Sequence, residues 1–214
     1  NRDLFAVGEY WHGDVNKLLH YLEVSNYCMS LFDVTLHFKF HYISSSNGTF
    51  DMGSIFEDTL VKKAPDYAVT FVENHDSQPG QSLQSSVANW FKPIAYALIL
   101  LRQYGYPCVF YGDYYGIPEY NVDSFKDVID KMIKVRKELM YGKEHNYFDD
   151  NNIVGWSYEG DSQHLNSGFA VIVNDGPGGQ KKMYVGKKHA NETFVDCLNN
   201  VLEEVIIDKD GFGI

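Results

Sequence analysis

The chain has 214 residues, 44% of them hydrophobic, enough for one large or two modest domains with real cores. Its 29 acidic residues outnumber 18 basic ones for a formal net charge of −11, and no dense basic cluster interrupts them, so nucleic acid is not an expected partner. No apolar run approaches the roughly 20 residues of a membrane helix, and the longest, 94–101, is bounded by Lys92 and Arg102, so no membrane is expected either. The first residues show no basic segment leading into an apolar one, so no signal peptide is visible in them. Cys28, Cys108 and Cys197 lie far apart without a CxxC pair, and read as buried thiols rather than a disulfide framework or zinc site.

In chain order, short runs that are apolar on both faces read as buried strands: 4–7, 67–72 and 108–111, with a weaker one at 30–34. Helical spacing falls between them. Asp14 can cap a helix bearing Val15, Leu18, Leu19 and Leu22. Ser54 with Glu57 has the form of a capping box ahead of Leu60 and Val61. A longer helix fits from Ser85 or Ser86 to Leu101, with Trp90, Phe91, Ile94 and Leu98 on its apolar side; Pro93 must kink it or fall in its first turn. A last helix fits 123–139. Strands alternating with helices imply parallel βα units, and four of them are too few to close an eight-stranded barrel. The chain also begins almost inside its first strand, as though cut. Beyond about Tyr141 the texture changes to short strand-like runs at 153–158, 169–173, 182–185, 193–197 and 205–207, separated by Gly and Asn. That pattern predicts a small antiparallel sandwich.

Three of the apolar segments end in polar clusters: Gly8-Glu9-Tyr10-Trp11, Glu73-Asn74-His75-Asp76, and Tyr111-Gly112-Asp113. In parallel α/β folds the βα loops converge beyond the carboxyl ends of the strands, so Glu9, His75, Asp76 and Asp113 are expected on one rim. Each alone reads equally well as a solvated loop or turn residue. Together they supply the carboxylates that glycoside hydrolysis needs, one to protonate the leaving oxygen and another to stabilise or attack the oxocarbenium-like centre. His37 and His41 are four apart but have no carboxylate beside them, and do not read as a zinc site. GxGxxG, P-loop and GxSxG motifs are absent from the sequence, which leaves nucleotide-binding and serine-hydrolase readings without support.

The segment FVENHD at 71–76 resembles the seventh-strand motif of the α-amylase family of glycoside hydrolases, a (β/α)8-barrel family. GEYW at 8–11 is similar to its fifth-strand motif and GYPCVFYGD at 105–113 to its eighth. The flanks QPGQ (78–81), WFKP (90–93), IVGW (153–156) and DGPGGQKKMYVG (175–186) resemble the bacterial liquefying α-amylases and their cytoplasmic relatives, in order and over essentially the whole chain.

The resemblance implies an α/β fold: the second half, strands five to eight, of a (β/α)8 TIM barrel in residues 1–141, followed by an antiparallel β-sandwich in 142–214. It implies retaining endo-hydrolysis of α-1,4-glucosidic bonds in starch- or glycogen-type polysaccharide. Glu9 matches the general acid/base, which Trp11 is expected to desolvate so that its pKa rises toward the working pH. Asp76 matches the acid that grips sugar hydroxyls and stabilises the transition state, and His75 a hydrogen-bond donor to the same sugar. Tyr10, Trp11, His75 and Gln81 are the expected substrate contacts. The family's nucleophile is an Asp on the fourth strand; only eight residues precede Glu9, and Asp3 has none of that motif around it. The chain alone is therefore expected to be inactive, with the amino-terminal half of the barrel as its missing partner. Calcium is the implied cofactor, held by the carbonyls of Gly48, Phe50 and Asn151 and the side chains of Asn152 and Asp175, although Asn152 stands where the relatives carry Asp. A glucanotransferase or maltooligosaccharide-forming enzyme of the same family, and a non-catalytic glucan-binding fragment, are the alternatives.

Overall fold

A computed structural model describes residues 4–214, so Asp3 lies outside the described residues. The chain packs as two compact units: residues up to Asn47 together with Ser54–Lys126, and Gly48–Gly53 together with Asp127–Ile214. The division falls at Lys126 and Asp127, earlier than the boundary expected at 141, and the short segment 48–53 joins the second unit. The backbone tells why the helix before residue 141 goes with the second unit. The carbonyls just past its end, Leu139 and Tyr141, accept hydrogen bonds from Gly168 N (2.8 Å) and Gly160 N (2.9 Å).

The first unit holds a four-stranded parallel sheet in the order β1 (Val7–Gly8), β2 (Ser30–Phe32), β3 (Ala68–Phe71), β4 (Tyr106–Cys108). Sequence neighbours are spatial neighbours throughout. That is the winding of a barrel wall, whereas a doubly wound sheet reverses its strand order. Helix α1 (Val15–Val24) follows β1; Asp14 caps it by accepting from Asn16 N at 2.9 Å, and Val15, Leu18 and Leu22 are buried as their spacing predicts. Helix α2 (Val34–Ser45) and the short α3 (Leu60–Lys63) link β2 to β3. The expected Ser54/Glu57 capping box does not start α3. Thr59 does, its side chain accepting from Lys62 N at 3.3 Å. Asp33 ties the two helices together: buried, it accepts from Leu36 N at 3.0 Å and from Val61 N at 2.7 Å.

Helix α4 (Lys92–Leu100) is shorter than the 85–101 expectation, because Pro93 lies in its first turn rather than at a kink. Its residues Ala95 to Leu100 are buried, whereas Trp90 stands outside the helix, half-exposed, with Nε1 donating to Ser44 O at 3.0 Å. Strand β4 ends at Cys108. Residues Tyr111–Tyr115 turn into the short helix α5, so the run read as a strand to 111 is strand only in its first part. Gly105 makes the tight entry to β4 with φ +78°, where a Cβ would meet Val61 Cγ2 and Thr70 Cγ2 at 3.0 Å.

The second unit carries most of α6 (Lys126–Glu138) and an antiparallel three-stranded sheet, β5 (Glu144–Tyr147), β6 (Ile153–Tyr158) and β7 (Phe169–Asn174). Val154, Trp156, Tyr158, Phe169 and Val173 form its core. Two further antiparallel pairs complete it: β8 (Met183–Tyr184) with β11 (Phe212–Gly213), and β9 (Thr193–Phe194) with β10 (Val205–Ile206). The three thiols are free, but Cys28 and Cys197 are exposed rather than buried. No helix among the described residues is long and apolar enough to cross a membrane.

Candidate active site and cation site

Because β1 to β4 are parallel, the residues that follow them leave the sheet at the same end. Glu9 and Tyr10 follow β1 directly, and Glu73 to Ser77 follow β3. His75 and Asp76 are adjacent and solvent-facing, with His75 Nε2 3.6 Å from Asp76 Oδ2. Their loop is fixed from below: Asn74 Oδ1 accepts from Asp76 N at 2.9 Å and from Ser77 N at 2.8 Å. Such an arrangement presents an imidazole and a carboxylate to solvent on a backbone that cannot easily yield. Gln81, in the following turn, is also exposed.

Two expectations need correction. Glu9 is exposed, and Trp11 does not enclose it. The indole packs instead against His37 (5.3 Å between ring centroids), Phe38 (5.7 Å) and Phe71 (6.1 Å), because those rings offer it an apolar bed above the sheet. Tyr10 stacks on Tyr21 at 5.1 Å. Asp113 is no rim residue: it is fully buried, paired with Lys92 Nζ, and accepts from Tyr96 OH at 2.7 Å. Burial pushes its carboxyl up, with Lys92 opposing.

Lys92 is itself buried and lies 3.8 Å from Glu73 Oε2, so one ammonium stands between two carboxylates. Burial raises the Glu73 carboxyl to about 7 against the pull of Ser77 and Lys92. Neither Glu73 nor Lys92 was singled out from the sequence, yet a signal existed. A Glu closing the apolar run 68–72 and a Lys inside the apolar segment 90–101 must each find a partner if buried. His37, also buried, meets Val72 O at 2.8 Å and Ser85 Oγ at 2.7 Å, and desolvation lowers its pKa to about 4. It is a neutral core histidine.

The five residues expected to hold a cation all fall in the second unit. Asp175 is buried, and neither carboxylate oxygen has a hydrogen-bond partner of normal geometry; Asn152 Oδ1 is likewise buried and unpartnered. Burial pushes the Asp175 carboxyl up, and the Phe50 amide offsets only part of that. The Asn152 amide nitrogen donates to Pro177 O at 2.7 Å, which leaves its oxygen free to turn inward. Asn152 Oδ1 and Gly48 O lie 2.9 and 3.6 Å from the point where a Cβ on Gly176 would stand, and a Cβ on Gly48 (φ +75°) would meet Asp175 O at 2.7 Å. Both positions must be glycine for these oxygens to converge. Buried carboxylate and amide oxygens without donors fit a hard cation. Among the described residues no group of three or more His, Cys, Asp and Glu converges on a metal, so the charge at this site comes from Asp175 alone and the rest from amide and carbonyl oxygens.

No protein-family model matches the chain. It is 54% identical over 212 residues to the alpha-amylase of Geobacillus stearothermophilus and 49% over 215 residues to that of Bacillus licheniformis. A glucan 1,4-alpha-maltohexaosidase of Bacillus sp. (strain 707) is 47% identical over 212 residues. Each match takes in 99% of this chain but only 39–42% of the relative, so the chain spans about two fifths of the length of the proteins it matches. Among solved structures, AmyP in complex with maltose aligns over 98% of this chain and 52% of its own with a TM-score of 0.58 at 13% identity. CldA, a cyclomaltodextrin glucanotransferase, aligns over 86% of this chain and 40% of its own with a TM-score of 0.57 at 18% identity. Those structural likenesses speak for the fold. With identities near one half along almost its entire length, the chain is similar throughout to the corresponding part of these alpha-amylases.

Proposed function

We propose that the full-length protein carrying this chain is a retaining hydrolase of α-1,4-glucans, and that this chain supplies strands five to eight of its barrel and most of its carboxyl-terminal β domain. Identity near one half along the whole chain carries the reading; the sequential parallel sheet, with Glu9 and Asp76 beyond the same ends of its strands, supports it. Glu9 protonates the leaving glycosidic oxygen and then, as a carboxylate, takes a proton from the attacking water. Asp76 accepts hydrogen bonds from sugar hydroxyls and opposes the positive charge that develops at the anomeric carbon, while His75 donates to the same sugar. Tyr10, Trp11 and Gln81 line the approach of the glucan. The desolvation that Glu9 requires as an acid comes from bound sugar and from residues outside this chain.

A retaining mechanism needs a second carboxylate about 5–5.5 Å from the first, and we assign the nucleophile to a residue outside these 214. A calcium ion, when bound, would supply positive charge to the cradle of Gly48, Phe50 and Asn151 carbonyls with the Asn152 and Asp175 side chains, and so offset the desolvation of Asp175. Its role is structural. A maltooligosaccharide-forming enzyme is the second reading, favoured by the 47% identical maltohexaosidase.

The test is release of reducing sugar from starch by the purified 214-residue chain, by the full-length protein, and by the chain mixed with the remaining polypeptide. Full-length turnover with an inactive isolated chain, restored by the added polypeptide, is the expected result. Turnover by the isolated chain near that of the full-length protein would overturn the division of the active site.

A further inference from the structure

Glu73 stands one residue before the loop that carries His75 and Asp76, and is bonded into it. Its Oε1 accepts a short hydrogen bond from Ser77 Oγ, and its Oε2 accepts from Val87 N at 3.0 Å and lies 3.8 Å from Lys92 Nζ. Ser77 Oγ in turn accepts from Asn74 N at 3.0 Å, and Asn74 Oδ1 holds the amides of Asp76 and Ser77. Lys92 continues the chain of contacts to Asp113, which Tyr96 OH also holds. Glu73, Ser77, Lys92 and Asp113 are all almost fully buried. A path of hydrogen bonds, joined by the 3.8 Å ion pair of Lys92 with Glu73, therefore runs from helices α4 and α5 to the backbone amide of Asp76.

We propose that Glu73 is a positioning residue, whose buried carboxylate, anchored by Lys92, fixes the 74–77 loop and so sets where His75 and Asp76 meet the sugar. The inference rests on the reading of that pair as substrate contacts. Glu73 has no exposed atom to offer a substrate, and nothing else in its surroundings needs a carboxylate in place of an amide: Ser77 Oγ and Val87 N would be served by any acceptor. What the charge adds is the tie to Lys92. That tie is sensitive to protons, because the cluster of Glu73, Asp113 and Lys92 carries one negative charge more than positive. Of the other groups packed around it, Tyr96 on α4 is held neutral, with its pKa well above 10, and His37 on α2 is neutral above about pH 4; His75 and Asp76 are the titratable side chains of the loop itself. Protonation of Glu73 near pH 7 removes the charge from its tie to Lys92, so the placement of the loop changes there.

The experiment compares wild type with Glu73→Gln and Ser77→Ala in the full-length protein. Two quantities are read: kcat on a maltooligosaccharide, and the NMR titration of the His75 imidazole. Misplacing a catalytic contact by a fraction of an ångström to an ångström can cost up to about a hundredfold, so kcat is expected to fall by tenfold or more in Glu73→Gln, with KM changed by less than about threefold. The wild-type His75 signal is expected to show a second inflection near pH 7 that Glu73→Gln abolishes. Ser77→Ala, which keeps the carboxylate but cuts the path to Asn74, is expected to lower kcat while leaving titration of the Glu73 cluster in place. Should Glu73→Gln fail to fold, Ser77→Ala decides: unchanged kcat and an unshifted His75 signal overturn the proposal. A folded Glu73→Gln protein with wild-type kcat, or with the His75 inflection intact, overturns it as well. If wild type hydrolyses no glucan, the functional reading fails, and the His75 titration alone decides whether Glu73 governs the loop.

Discussion

The two units of the chain use carboxylates in opposite ways. In the parallel α/β unit, Asp33, Glu73 and Asp113 are buried, and desolvation raises all three pKa values against the hydrogen bonds that favour the anion. In the β unit, Asp149, Asp150, Asp161 and Asp208 are on the surface and have lowered pKa values. Asp149 is lowered first by Lys181, and the other three by backbone N–H groups in tight turns. The first group constrains distant segments to one another at the expense of a desolvated charge. In the second group Asp150, Asp161 and Asp208 close turns of a few residues, and Asp149 makes an exposed pair with Lys181. Asp175 follows the first pattern, its carboxyl raised by burial, and neither of its buried oxygens has a hydrogen-bond partner of normal geometry.

The largest expected effect tests the catalytic side of the comparison. Glu9→Gln in the full-length protein is expected to lower turnover on starch by about 10²–10⁴ while maltooligosaccharide binding persists. Turnover within a few-fold of wild type would remove Glu9 from its role and leave the α/β unit without an acid.

Next is Asp33, which holds the starts of both α2 and α3. Asp33→Ala strands buried amides at Leu36, Leu60 and Val61, and is expected to destabilise the protein by about 2–4 kcal/mol in denaturant unfolding. Asp150→Ala, whose partners Asn152 and Ile153 are exposed with it or nearly so, is expected to have a far smaller effect. Equal losses would erase the distinction between buried ties and surface turns.

Asp175 sharpens the contrast within the β unit. Calcium is expected to raise the thermal midpoint, and Asp175→Asn to remove that response. In chelator the sign reverses: the variant should be the more stable by roughly 1–3 kcal/mol, because it no longer buries an unpartnered carboxylate. Calcorimetric scans with and without calcium check both signs, and a variant that responds to calcium like wild type would exclude this cradle.

The last expectation concerns the pH dependence. Glu73 has a folded pKa of about 7 against an ordinary 4.5, so the folded state holds its proton more tightly than the unfolded chain does. Its contribution favours folding below pH 4.5 and is lost as pH rises to about 7, at up to roughly 1.4 kcal/mol per pH unit. The surface aspartates act in the reverse sense: their contribution is present above 3.8 and lost as pH falls further. Hydrogen exchange resolved by segment is expected to show the β unit loosening first in acid and the 73–77 loop loosening toward neutrality. Parallel pH responses in the two units would contradict the assignment.

Much of this was legible in the amino-acid order. Apolar runs bounded by turn residues located β2 and β3, whereas the runs at 4–7 and 108–111 share one residue each with β1 and β4, and 4–7 is exposed rather than buried. The spacing of Val15, Leu18 and Leu22 gave the buried face of α1, because local burial leaves a periodic trace. The polar residues after those runs marked Glu9, His75 and Asp76 as strand-end groups, and the chemistry of the side chains named what they can do. Gly48, Asn152 and Asp175 were singled out only through resemblance, since they are scattered along the chain and no local pattern links them.

What the sequence could not decide is which charges are inside. Asp113 follows its strand as Asp76 follows its own, and the two read alike; tertiary packing sends one under Lys92 and Tyr96 and leaves the other facing solvent. Trp11 reads as a lid on Glu9 from its position two residues on, but the apolar bed of His37, Phe38 and Phe71, assembled from two other elements, draws the ring away. The physical reason is common to both. Spacing along the chain fixes which end of a strand a residue leaves from, whereas burial and pairing depend on groups tens of residues away, brought together only when the sheet and its helices close over them.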